Sequence, residues 1–330
     1  MDIDLEELIN NKIVDKETQI HHYTSLDGLK SIIENNSLRF TECCYMNDKE
    51  EYNDILNILD QLVKENKGKT TIKSQLLEHT RYNVDDEFGE NVVFDFRRDG
   101  KWDFTGSRYF IMSTTTKKDS LPMWHYYSKG KSVDGSVITL NVNKLKKAFS
   151  GIKDTKLFCG KVIYDDDEKK KVLDEAANII SKKVEKELES ISHLPEESYA
   201  EEYGAIMNSG VGEYSNFVER IRLFFKAKSF DYEKEYRLVL AIRNNIDELK
   251  KMSDNPEIGI SVKFLTYESI IRMHVDLKFD KSFTISSIMF SPTADLITCK
   301  RGIVDLLNFH GYSYNKKEIE IDKSKCLIRF

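Results

Sequence analysis

Residues 233–242 read Glu233-Lys234-Glu235-Tyr236-Arg237-Leu238-Val239-Leu240-Ala241-Ile242, a charged opening that runs into an apolar stretch. Tyr236 to Ile242 has the composition of a β-strand. Side chains at i and i+2 of an extended chain share a face, so Glu233, Glu235 and Arg237 are expected together: two carboxylates beside a guanidinium. The plainer alternative is the solvated face of an ordinary strand.

Two other polar groups sit at the ends of apolar runs. Arg108 to Met112 reads as a strand with Ser113-Thr114-Thr115 at its exit. His22-Tyr23-Thr24 precedes a helix that Thr24 or Ser25 caps and whose Leu26, Leu29, Ile32 and Ile33 fall on one face. Taken singly, a histidine or a hydroxyl run at a strand end is more often a hydrogen-bonded structural feature. The three groups meet only if the fold brings three strands together.

The rest of the chain supplies the frame. Asn47-Asp48 is expected to cap a helix with Tyr52, Ile55, Leu56, Leu59, Leu62 and Val63 as its stripe. Thr80 to Gly106 reads as irregular, and its Arg97 to Trp102 segment interleaves basic and aromatic residues, as a recognition element or a plain surface insertion would. Strands are expected at Ser136–Leu140, Leu157–Tyr164, Ile260–Leu265, Ile270–Leu277 and Thr284–Phe290. A long helix repeats Val172, Ala176, Ile180, Val184 and Leu188, and a second runs from Pro195 to about Phe225 with a bend at Asn208 to Gly212. Together they form an expected helical insertion at about 165–226 in a single α+β domain spanning 1–330. A last helix carries Leu296, Ile303, Val304 and Leu307 before a short terminal strand.

Composition narrows the class. The 330 residues are 40% apolar with 18 Phe and 16 Tyr, enough for a sizeable core. A net charge of -6 advertises neither nucleic acid nor an anionic membrane as partner, although a local basic patch stays open. The five cysteines are an odd number without C-x-x-C spacing and are read as reduced and structural. An acidic N-terminus and the lack of a long apolar run point to the cytoplasm and away from membranes. The seven histidines are scattered, with no metal-ligand spacing, and neither G-x-G-x-x-G nor a P-loop occurs.

His22-Tyr23-Thr24, Asn47-Asp48 with Glu51, Ser113 with Asp119-Ser120-Leu121 and Met123-Trp124, and Glu233, Glu235 and Arg237 resemble, in order, the motifs of a large uncharacterised bacterial family. Its pattern runs H-Y-T, N-D-P-x-E, S-F-S, D-S-L-x-M-W and E-x-E-x-R. That family is similar to the ADP-ribosyltransferase superfamily, DarT-like toxins included. The resemblance implies split, mostly antiparallel β-sheets with surrounding helices that grip NAD, used as a substrate, in a cleft. It assigns Glu235 to the nicotinamide ribose and the oxocarbenium ion, and Glu233 to the acceptor. His22, Tyr23, Thr24, Tyr45, Asn47, Ser113, Thr115 and Arg237 would bind NAD, with Tyr23, Tyr45 and Trp124 as candidates to stack on nicotinamide.

The departures are Lys49 for the family's proline, Thr114 for the aromatic of S-F-S, and Phe230 for the usual tryptophan before E-x-E. Ser113-Thr114-Thr115 is closer to the S-T-S strand of Arg-class ADP-ribosyltransferases. The implied activity is transfer of ADP-ribose to a nucleic acid or protein by a toxin or antiphage effector, with an antitoxin or inhibitor protein as a possible further partner. A non-catalytic nucleotide-sensing or interaction module and an NAD glycohydrolase are the alternatives.

Overall fold

The computed structural model describes residues 5–12, 18–45, 50–88, 107–127, 135–149, 152, 155–243, 246–255, 257–267, 269–281, 285–312 and 319–327. In chain order the elements are α1 (Leu5–Lys12), β1 (Gln19–Ser25), α2 (Leu26–Asn35), β2 (Ser37–Glu42), α3 (Glu50–Asn66), α4 (Ile72–Phe88), β3 (Ser107–Thr115), α5 (Leu121–Tyr127), β4 (Gly135–Asn141), α6 (Val142–Phe149), β5 (Thr155–Lys161), α7 (Asp166–Ile191), α8 (Glu196–Arg222), β6 (Glu235–Arg243), α9 (Ile246–Asp254), β7 (Ile260–Tyr267), β8 (Ile270–Lys278), β9 (Ile285–Phe290), α10 (Leu296–Phe309) and β10 (Glu320–Lys323). The fold is mixed α/β with a largely antiparallel sheet and surrounding helices. The chain divides into two compact units. One draws on Met1–Asp15, Asn47–Asp103 and Lys161–Asp231, the other on Lys16–Met46, Phe104–Gly160 and Tyr232–Phe330.

The first unit is helical. Asp165 caps α7 by accepting from the Glu168 amide, and three acidic residues in the first turn favour the positive end of the helix dipole. Val172, Ala176, Ile180 and Val184 are buried as their spacing requires, and in α8 so are Met207, Val211, Tyr214, Val218 and Ile221. Two expectations fail here. Residues 80–88 continue α4 instead of opening an irregular stretch, because Leu76, Leu77 and Thr80 give this helix a buried side that its acidic C-terminal sequence hides. Helix α8 runs straight through Asn208 to Gly212. A Cβ on Gly210 would lie 2.6 Å from Val184 Cγ2 and 3.2 Å from Leu76 Cδ2, so this glycine serves a close helix crossing and not a bend.

The second unit is built on the sheet, whose path runs β10-β9-β4-β1-β3-β2-β8-β7, with β6 and then β5 attached to β3. Strand β10 pairs with β9 in parallel, whereas β9-β4, β4-β1, β1-β3, β3-β2, β2-β8, β8-β7 and β3-β6 are antiparallel. A continuous core of Ile20, Phe40, Phe110, Met112, Ile138, Leu238, Leu240, Val275 and Ile288, with Leu29 and Ile33 of α2 and Ile303 and Leu307 of α10, covers one sheet face. Asn36 ends α2 in the left-handed region at φ 51°. Its side-chain Nδ2 donates to the Phe279 carbonyl at 2.5 Å, and its Oδ1 accepts from the Tyr312 hydroxyl at 3.0 Å. The Asn47-Asp48 cap and the Arg97 to Trp102 segment lie outside the described residues.

Candidate functional site

Strand β3 has its two edges used unequally. Along one edge β6 pairs with every residue, from Ser107 opposite Arg243 to Thr115 opposite Glu235. The other edge is shared: Phe110 and Ile111 pair with Glu42 and Thr41 of β2, and Thr115 pairs with His21 of β1. Met112 to Thr114 therefore have no strand partner on that edge among the described residues, and the sheet forks there into a β1-β4-β9-β10 arm and a β2-β8-β7 arm. The strands carrying the three polar groups are immediate neighbours, in the order β1-β3-β6.

His22 sits in this fork. Half-buried, it donates from Nδ1 to the Ser113 carbonyl at 3.1 Å, which ties β1 to β3 beyond their single paired position. Burial lowers its pKa, and the bond to Ser113 opposes that shift in part.

On the opposite side of β3, Glu235 and Arg237 form a buried pair. Arg237 Nε and Nη2 donate to the two carboxylate oxygens at 2.9 and 3.2 Å, and Glu235 is 3% exposed. Glu233 does not join them on the strand. It ends a 3-10 turn over Lys228–Glu233, and Lys234 adopts φ 44°, which breaks the alternation the i,i+2 argument assumed. The hydroxyl run holds this turn in place: Thr115 Oγ1 donates to the Glu233 carbonyl at 2.6 Å and the Thr116 amide donates to the Lys234 carbonyl at 3.0 Å. Thr114 Oγ1 donates to the Tyr236 carbonyl at 2.5 Å.

The other sequence-derived positions are structural in their contacts. The Tyr23 hydroxyl accepts from the Ser120 amide at 2.9 Å and donates to the Lys118 carbonyl at 3.1 Å. Its ring meets buried Trp124 edge-on, with centroids 5.0 Å apart. Trp124 Nε1 donates to Asp119, which also accepts from Ser324 Oγ and from the Lys325 amide, so the segment after β10 is fastened to the start of α5. Trp124 packs with Tyr23, Met123, Val137 and Met289 in a small core of its own. Thr24 lies beside α2, where a Cβ on Gly28 would come within 2.1 Å of its Oγ1. Tyr45 packs half-buried against the main core, and Asn47 is outside the described residues.

The structure adds a row that single-residue reading missed. Directly opposed positions on six adjacent strands are Glu235, Thr115, His21, Thr139, Ser287 and Glu320. Opposed residues share a face, so His21 and not His22 lies on the face of Glu235. Ser287 Oγ donates to Thr139 Oγ1 at 2.7 Å, and Thr139 Oγ1 lies 3.0 Å from His21 Nδ1. Alternation places His21 and His22 on opposite faces, but no local signal says which strand edges meet.

Burial, with a smaller contribution from the Lys118 ammonium, pushes the His21 pKa from its ordinary 6.5 down to about 4. The unfolded chain therefore binds more protons between these values. The stabilisation is complete above about pH 6.5 and is lost as pH falls toward 4, by roughly 3 kcal/mol in total. His22 titrates in the same direction. Urea unfolding at about pH 7.5 and about pH 5 is expected to show a marked loss for the native chain and a smaller one for His21→Gln; equal losses would remove His21 from this role.

Residues 123–238 match the model of a family described as protein of unknown function, DUF2971. The matched span takes in Met123-Trp124 and Glu233 to Arg237 and leaves out His22. No curated protein and no solved structure matches the chain. Among the described residues, no helix is long and apolar enough to cross a membrane.

Proposed function

We propose that this protein is an NAD-dependent ADP-ribosyltransferase whose dinucleotide site lies at the fork of the sheet, acting on a macromolecule as a toxin or antiphage effector. The observation that carries the reading is the sharing of one β3 edge by β1 and β2, with His22 spanning the gap at Ser113 and Glu235 in register with Thr115 across β3. Three polar groups far apart in sequence thus stand on three adjacent strands, with Thr115 and Glu235 on one face and His22 reaching the forked edge of β3 from the other.

In this reading Ser113 and Thr115, on the face of Glu235, hold the ribose and amide groups of NAD, and His22 positions that stretch of β3 through the Ser113 carbonyl. The bond from the ribose C1′ to the nicotinamide nitrogen breaks, and nicotinamide leaves with the electron pair. Glu235, oriented by Arg237, stabilises the positive charge that develops on the ribose. An acceptor oxygen or nitrogen then bonds to C1′, and Glu233 takes its proton.

One observation favours a second reading, a non-catalytic nucleotide-sensing or interaction module: both Glu235 oxygens are engaged by Arg237 and the residue is almost fully buried. Incubation with labelled NAD and lysate protein, RNA or DNA separates the two. The expected result is nicotinamide release with label transfer, reduced roughly 10²–10³-fold by Glu235→Gln. Release without transfer indicates a glycohydrolase. No release, together with no cellular effect of Glu235→Gln, supports the binding module and rejects catalysis.

A further inference from the structure

Among the described residues, the β2-β8-β7 arm carries more cations than anions on the face that presents Thr41. Register places Arg39 opposite Asp276, Thr41 and Lys263 opposite His274, and Leu265 opposite Arg272, and the pleat puts all of them on one face. Arg39 and Lys263 both donate to Asp276, at 2.7 and 2.6 Å. That carboxylate is 6% exposed, while the two cationic side chains remain 41% and 39% exposed. One buried anion therefore serves two half-exposed cations.

Arg272 adds a third positive charge, and it has no carboxylate partner among the described residues. Its guanidinium lies 4.3 Å from the centroid of the Tyr267 ring, and its Nε is buried without a hydrogen-bond partner. Tyr267 is 48% exposed at the end of the hairpin, beside exposed Ile270. An aromatic ring backed by a guanidinium, with Lys263 four residues along β7 on the same face and Arg39 beyond it, offers one base a stacking surface and a backbone a line of cations. A duplex keeps its base faces stacked inside, where Tyr267 has nothing to take.

We propose that this face binds single-stranded nucleic acid, with Arg39, Lys263 and Arg272 holding backbone phosphates and Tyr267 stacking on a base. The inference rests on the ADP-ribosyltransferase reading in one respect: it names the acceptor class. The face is the one that carries Ser113 and Thr115, and β8 lies two strands from β3, roughly 10 Å at ~4.8 Å per strand.

The test is fluorescence anisotropy of labelled poly(U), oligo(dT) and a duplex with the full chain and no NAD, across a salt series, followed by label transfer with NAD. Single strands, RNA or DNA, are expected to bind in preference to duplex. Neutralising one phosphate-binding cation should reduce the slope of log K against log salt by about 0.7. R272E and Y267A should each weaken binding roughly tenfold, whereas R272K retains it, which separates loss of the charge from loss of the fold. R272E should also abolish labelling of nucleic acid without changing basal nicotinamide release. No binding at low salt, unchanged binding by R272E, or preference for an acidic polypeptide would overturn the proposal. Nicotinamide release without nucleic-acid binding refutes this inference alone; nucleic-acid binding without release refutes only the catalytic reading.

Discussion

Arg237→Ala is expected to destabilise the sheet unit by roughly 3–5 kcal/mol, a large part of the ~5–15 kcal/mol by which a folded domain normally exceeds its unfolded state. The guanidinium is fully buried and both Glu235 oxygens receive its donors. Its removal leaves a carboxylate that is 3% exposed without those two hydrogen bonds. Breaking one side of such a pair costs far more than the pair itself contributes, because the remaining charge stays desolvated. Urea unfolding should show the midpoint falling by about 1 M or more. Replacing both residues, as Glu235→Gln with Arg237→Met, should recover part of the loss, since no orphaned charge remains. Midpoints for Arg237→Ala equal to the native chain would show that Glu235 is not desolvated as described, and would free it for direct contact with a substrate.

The second large effect lies in the helical unit, where two glycines two residues apart should respond in opposite directions. At Gly210 a methyl group falls 2.6 Å from Val184 Cγ2, on the neighbouring helix, and 3.2 Å from Leu76 Cδ2. A branched methyl on a buried helix cannot swing aside as the end of a long side chain can, so the helices must separate. Overpacking of this kind costs about 1–3 kcal/mol, against a gain of up to about 1 kcal/mol from replacing a helical glycine by alanine. Gly210→Ala is expected to be destabilising and Gly210→Leu more so. At Gly212 nothing lies within 4 Å of the added carbon, so Gly212→Ala should gain about 0.5–1 kcal/mol. Thermal unfolding of the three variants checks the sign; a stabilised Gly210→Ala would mean that the crossing is looser than described.

Much of the fold was readable along the chain, and the exceptions share a cause. The Tyr236–Ile242 run, the Ile270–Leu277 run and the Val172 to Val184 repeat became β6, β8 and α7 because their periodicities are local properties of the residues themselves. The bend assigned to Asn208 to Gly212 was misread because glycine has two uses, backbone freedom and absence of bulk, and only the neighbouring Val184 shows which applies. Glu233 was placed on the strand because the pleat was extended through Lys234. The positive φ there is held by bonds from Thr115 and Thr116, more than a hundred residues earlier in the chain.

The same division holds at the candidate site. Residue type and alternation singled out His22, Ser113, Thr115, Glu235 and Arg237 as candidates and separated His21 from His22 by face. That β1 and β2 share one edge of β3, that His21 stands in line with Glu235, Thr139 and Ser287, and that Glu235 is spent on Arg237 were decided by tertiary structure. Side-chain alternation depends on neighbours within a strand, whereas register and edge sharing depend on which distant segments the core and the turns bring together.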